Sequence, residues 1–199
     1  MSLIAPLGLN RRAALLLGAG ALLASTAVHA APPVNNLKPG LFGGRTDVAI
    51  LGYDPVAYFT DGKPVAGKVD IAAQHDGLDY RFASEEHRKL FLADPQHYVP
   101  RYGGFCAQGI AYAVMFGGKA EKFQIIDGHL FIYGDQSAID AWNSSPKKHL
   151  EYAEHYWNTE MKGMPYRLQT LKRFVFKVPH YKTGKEVRAA LDAHQPVLE

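Results

Sequence analysis

The apolar residues of this chain fall in short blocks punctuated by Gly, Pro, Asp and Asn, and the blocks predict short elements of both kinds. Phe123–Tyr133 is the plainest. Gln124-Ile125-Ile126 and Leu130-Phe131-Ile132 flank Asp127-Gly128, a pair suited to a type I′ turn, so the spacing predicts a β-hairpin. Asp79–Phe82 predicts a short strand. Ser84, followed by Glu85 and Glu86, caps a predicted helix whose apolar residues are Leu90 and Phe91. Asp54-Pro55 opens a helical turn carrying Tyr58 and Phe59, and Asp94-Pro95 opens another that ends near Tyr98. Tyr102-Gly103-Gly104 reads as a tight turn leading into Phe105–Val114. Asp135 caps a helix through Ala138, Ile139 and Trp142. Ser145-Pro146 starts the next, with Leu150, Ala153 and Trp157 expected on one face.

From Pro165 the character changes. Arg173–Val178 reads as a strand, and Thr183 with Glu186 forms a capping box for a last helix holding Val187 and Leu191. This tail is expected to pack on the rest through Phe174, Phe176, Val187 and Leu191. No internal repeat is evident. The fold class is α+β, a small domain with a β-hairpin and short helices, extended at its C-terminus by a strand and a helix.

The first thirty residues read as a secretory signal. Arg11 and Arg12 precede an uncharged apolar run, Ala13–Ala24, too short to span a bilayer, which needs about 20 such residues. Val28-His29-Ala30 supplies the small residues of a cleavage site, and the arginine pair suggests twin-arginine export. The expected organisation is therefore a signal at 1–30, a Pro- and Gly-rich leader at 31–44, a domain at 45–164 and a basic extension at 165–199. A periplasmic location follows, with no transmembrane segment in the mature chain.

Charge narrows the partners. Removing Arg11 and Arg12 from the 22 basic residues leaves 20 against 19 acidic ones, so the mature chain is nearly neutral and nucleic acid is not an expected partner. The charge is split along the chain. Residues 165–199 carry seven basic and three acidic side chains, and residues 31–164 carry 13 and 16. The single cysteine, Cys106, forms no intramolecular disulfide.

GYDPVAYF (Gly52–Phe59), YRFASEEHRKLFLADPQHYVPRYGGFCA (Tyr80–Ala107) and FQIIDGHLFIY (Phe123–Tyr133) resemble the YHS domain family, and Trp142, Pro146, Ala153-Glu154 and Trp157 continue the pattern. The resemblance covers roughly residues 45–160, is closest to exported stand-alone members, and implies a small α+β fold with a treble-clef-like hairpin and helix. Metal-binding members carry cysteines where this chain has Ala57, Ala83 and His87, so the resemblance brings no thiolate cluster with it. It implies no established reaction.

Three chemistries remain open. Aromatic residues are dense around the best-matched blocks, and Tyr58, Tyr102, Phe105 and Cys106 are the candidate wall of a small-ligand pocket. His87, His97 and Cys106 are the candidate donors for a transition metal ion such as copper or zinc. Cys106 alone is the candidate for a thiol redox protein. Filling a small core with aromatics and a buried thiol accounts for the same residues without chemistry. No phosphate loop, dinucleotide fingerprint or Ser–His–Asp order appears. The expectation is a non-enzymatic binding or accessory domain whose partner is a small ligand, a metal ion or an envelope protein.

Overall fold

The structure, a computed structural model, describes residues 48–161 and 164–199. The expected signal, leader and export motifs lie outside the described residues.

Ala49–Gly52 is a tight 3-10 turn in which Ile50, Leu51 and Gly52 take φ of 49°, 54° and 89°. One short helix follows, α1 (Ala57–Thr60). Strands β1 (Lys68–His75) and β2 (Leu78–Phe82) pair antiparallel around Asp76-Gly77, with a bulge between Lys68 and Ala72. Ser84 caps α2 (Glu85–Ala93) by accepting from the His87 N–H, and Asp94 caps α3 (Pro95–Tyr98) the same way through His97.

The whole sequence of events then recurs. Arg101–Gly104 is a second 3-10 turn, with Tyr102, Gly103 and Gly104 at φ of 55°, 60° and 78°. After α4 (Ala107–Ala111), strands β3 (Lys119–Ile126) and β4 (His129–Tyr133) pair antiparallel with a bulge between Lys119 and Phe123. Asp127 and Gly128 both have positive φ, as the type I′ reading requires. Asp135 caps α5 (Gln136–Ser144), and Pro146 opens α6 (Pro146–Tyr156). β3, β4 and α5 each begin 51 residues after β1, β2 and α2. The expectation of no repeat is thus corrected: two halves share one backbone plan. Because the recurring features are mainly turns, caps and a bulge, they leave little common sequence behind them.

β4 joins the halves. Its Leu130 and Ile132 pack into the first core, with Val56, Tyr58, Tyr80, Phe82 and Phe91. Its Phe131 and Tyr133, on the opposite face of the pleat, pack into the second, with Tyr102, Cys106, Ile110 and Trp142. Both faces of one short strand are therefore buried, and the domain has two adjoining cores.

The tail shares the second core. Val178, Val187, Val197 and Leu198 are buried in it, and the Val197 and Leu198 N–H groups donate to the hydroxyls of Ser144 and Ser145. Thr183 and Glu186 form the expected capping box at α8 (Gly184–Asp192). Two expectations for this region are corrected. The strand over Arg173–Val178 is instead the end of a helix, α7 (Tyr166–Val175). Leu168, Leu171 and Phe174 recur at helical spacing, Lys172 and Arg173 suit the dipole of the last turn, and among the described residues strands pair only as β1–β2 and β3–β4. Phe174 and Phe176, expected to pack, are 83% and 68% exposed. On α6, Leu150 is exposed and the buried residues are His149 and Ala153, one position round from the predicted face.

Candidate functional site

Where the halves meet, the second 3-10 turn forms one wall of a cleft of about 450 Å³. Pro100 brings the chain in extended, and Tyr102 then takes a left-handed conformation that costs a non-glycine residue about 1–2 kcal/mol. The surroundings hold it there. Its ring meets Trp157 edge-on at 5.7 Å and Phe131 at 5.9 Å, and its hydroxyl donates to Glu154 Oε1 at 2.9 Å. Burial pushes the Tyr102 phenol well above its ordinary pKa, and the Glu154 charge adds to this, so the hydroxyl stays a donor.

Glu154 is the hub of the cleft floor. It also accepts from Arg101 Nη2, whose guanidinium lies 5.8 Å from the Tyr102 ring centre, and from Asn158 Nδ2 at 3.4 Å. Glu154, Trp157 and Asn158 follow one another at helical spacing at the end of α6, where the π-helical turn Trp157–Met161 continues it. The opposite wall comes from the first half: Asp76, Leu78 and Tyr80 of the β1–β2 hairpin, Gln96 of α3, and Val99. His129, at the start of β4, completes the lining. The result is an aromatic-walled cleft with one pre-paired cation–anion pair at its floor. Such a site can hold a small molecule by stacking and orient it by hydrogen bonds.

Of the four residues predicted to wall a pocket, only Tyr102 lines this cleft. Tyr58 is buried in the first core against Phe123, while Phe105 and Cys106 are buried in the second. The cleft is also lined by Arg101, Glu154, Trp157 and His129, which the sequence pattern does not single out as ligand contacts. Arg101 and Glu154 stand 53 positions apart, and no local pattern joins them.

The predicted metal donors are not brought together. His87 Nδ1 lies 2.7 Å from Oδ2 of the fully buried Asp54, and its Nε2 is 3.3 Å from the Thr60 hydroxyl. His97 packs between Phe59, tilted at 4.8 Å, and Tyr98, edge-on at 4.7 Å. Cys106 sits in the other core. Among the described residues, no group of three or more His, Cys, Asp and Glu side chains is arranged to hold a metal ion. Asp54 is itself saturated, accepting from the N–H groups of Val56, Ala57 and Ala83 as well as from His87.

The Cys106 thiol is buried, and burial pushes its pKa up, although the N–H groups of Gly109, Gly134 and Gln108 pull the other way. A reactive thiol needs a lowered pKa and access, and this one has neither. No family model, no curated protein and no solved structure matches the chain.

Proposed function

We propose that this chain is an exported, YHS-type binding domain without an enzymatic reaction of its own, and that its ligand is a small molecule held in the cleft between the two halves. The observation that carries this reading is the cleft itself, where the Tyr102 ring, held by Glu154 and Trp157, stands beside the Arg101–Glu154 pair and faces the β1–β2 hairpin of the other half. Arg101 and Asn158 supply donors beside aromatic faces, and the Asp76 and Glu154 carboxylates share the lining, which suits a neutral planar ligand bearing carbonyl or amide groups. The resemblance to exported YHS domains and the signal-like N-terminus support a periplasmic site of action. Among the described residues, no helix is long and apolar enough to cross a membrane.

A thermal-shift screen of small neutral aromatic compounds bearing carbonyl or amide groups tests the reading. A ligand at a hundred times its Kd raises Tm by roughly 5–10 °C for a domain of this size. The shift is expected in the native protein and lost in both Trp157→Ala and Arg101→Gln, each compared with its own ligand-free Tm. A ligand that shifts all three proteins equally would place binding elsewhere. The mature N-terminus is expected at Ala31, and N-terminal sequencing of the native protein that found Met1 would refute export.

A further inference from the structure

Helix α7 lies on the domain with its polar side inward and its apolar side outward. Gln169 is fully buried and donates from Nε2 to the Ala113 carbonyl at 2.9 Å. Glu160 accepts from Lys172 Nζ at 2.8 Å and from Arg173, so polar bonds tie the helix down. Facing away, Leu168, Leu171, Phe174 and Val175, with Phe176 after them, are 56–83% exposed. At about 100° per residue the four helical ones fall in a single stripe. A helix that folded to bury its apolar side would be turned the other way. An apolar stripe presented outward on a helix anchored by polar bonds marks a surface that another body covers.

Charge complementarity selects that body. The tail carries seven basic against three acidic residues. Lys177 follows the stripe directly and is exposed, and Lys185 and Arg188 are exposed on α8, the next helix in the chain. A second copy docked by a two-fold axis through α7 would set two basic tails against each other. An anionic bilayer matches both features: the apolar stripe enters the acyl boundary while the cations sit among headgroup phosphates. We propose that α7 is an interfacial helix that docks the protein on an anionic lipid surface.

The test reads α7 itself, in the full chain. A nitrobenzoxadiazole label on Leu171→Cys reports the polarity around the helix, and buried Cys106 stays unlabelled. Phosphatidylcholine vesicles containing phosphatidylglycerol are expected to shift its emission to the blue, and pure phosphatidylcholine vesicles are not. Leu168→Asn with Phe174→Asn, two exposed changes that spare the core, should weaken the affinity by about tenfold or more. Lys177→Gln should weaken it roughly fivefold. An emission unchanged by either vesicle would overturn the proposal. So would a blue shift that appears without lipid and grows with protein concentration, which would identify a second copy as the occupant. Binding to anionic vesicles that both sets of variants retain in full would overturn it as well.

Discussion

Asp54 and Cys106 occupy the same place in the two halves of the fold. Each follows a left-handed 3-10 turn by two residues, and each backbone N–H bonds across at 2.9 Å, to Val65 and Phe116 respectively. The Asp54 carboxylate collects the N–H groups of Val56, Ala57 and Ala83. The Cys106 sulfur lies in the matching nest of Gln108, Gly109 and Gly134. The halves diverge one layer out: His87, at the third position of α2, hydrogen-bonds Asp54, and the third position of α5 is Ala138, whose methyl offers the sulfur no such bond. One architectural slot thus holds a carboxylate hydrogen-bonded to an imidazole in the first half and a thiol in the second.

Removing the anion should therefore cost far more than changing the thiol. Asp54→Ala removes the acceptor of three N–H groups and of the His87 ring, and a loss of about 3–5 kcal/mol is expected. Cys106→Ser keeps an acceptor in its nest and should cost roughly 1–2 kcal/mol. Denaturant midpoints of the two variants measure this, and equal losses would show that the two nests do not carry the roles assigned to them. In the native protein Cys106 should react with thiol reagents only as fast as the domain opens.

The shared plan makes a second prediction, at the residue before each bulged hairpin. A Cβ on Gly67 would lie 2.4 Å from the Arg81 carbonyl carbon, and one on Gly118 would lie 2.4 Å from Ile132 Cγ2 and 2.5 Å from the Gly104 oxygen. The obstacle is largely backbone, which no rotamer change relieves. Gly67→Ala and Gly118→Ala should each destabilise by roughly 2–4 kcal/mol. Gly62→Ala is the control for lost backbone freedom, because a Cβ there meets nothing within 4 Å, although its φ of 64° adds some strain. Calorimetry that found Gly118→Ala no worse than Gly62→Ala would contradict the close approach.

The local signals were legible in the sequence where one residue type does one job. Ser84, Asp94, Asp135 and Thr183 each cap the helix they were expected to cap, and Asp127-Gly128 makes its turn. The repeat was not legible, because what recurs is backbone conformation. Gly67 and Gly118, Asp76-Gly77 and Asp127-Gly128, and Pro95 and Pro146 are identical pairs, but Phe91 is matched by Trp142 and His87 by Ala138. Burial fixes only that Phe91 and Trp142 be large and apolar. The orientation of α7 was also hidden. Its Phe174-Val175-Phe176 run reads as part of a strand, and only the tertiary bonds of Gln169 and Arg173 determine which side faces out. The cleft was hidden for a related reason, since the partners Arg101 and Glu154 come from separate elements.

His149 should make stability depend on pH below neutrality. The ring is buried against Trp142 at 5.6 Å, its Nδ1 bonds to the Ser145 carbonyl at 2.9 Å, and Nε2 has no hydrogen-bond partner among the described residues. Burial pushes its pKa down from 6.5 to about 4, with the nearby His180 acting the same way and the Ser145 carbonyl opposing. Between those values the unfolded chain binds a proton that the folded chain does not. Stability is therefore fully present above about pH 6.5 and falls as the pH drops toward about 4, by on the order of 3 kcal/mol. His180 is depressed by burial as well and contributes with the same sign. His149→Phe removes the titrating group and should flatten this part of the profile, even if it shifts the overall stability. Guanidinium midpoints at several pH values between about 4 and 7, taken for both proteins, measure the difference in slope. Parallel profiles would mean that His149 takes up its proton without leaving the core.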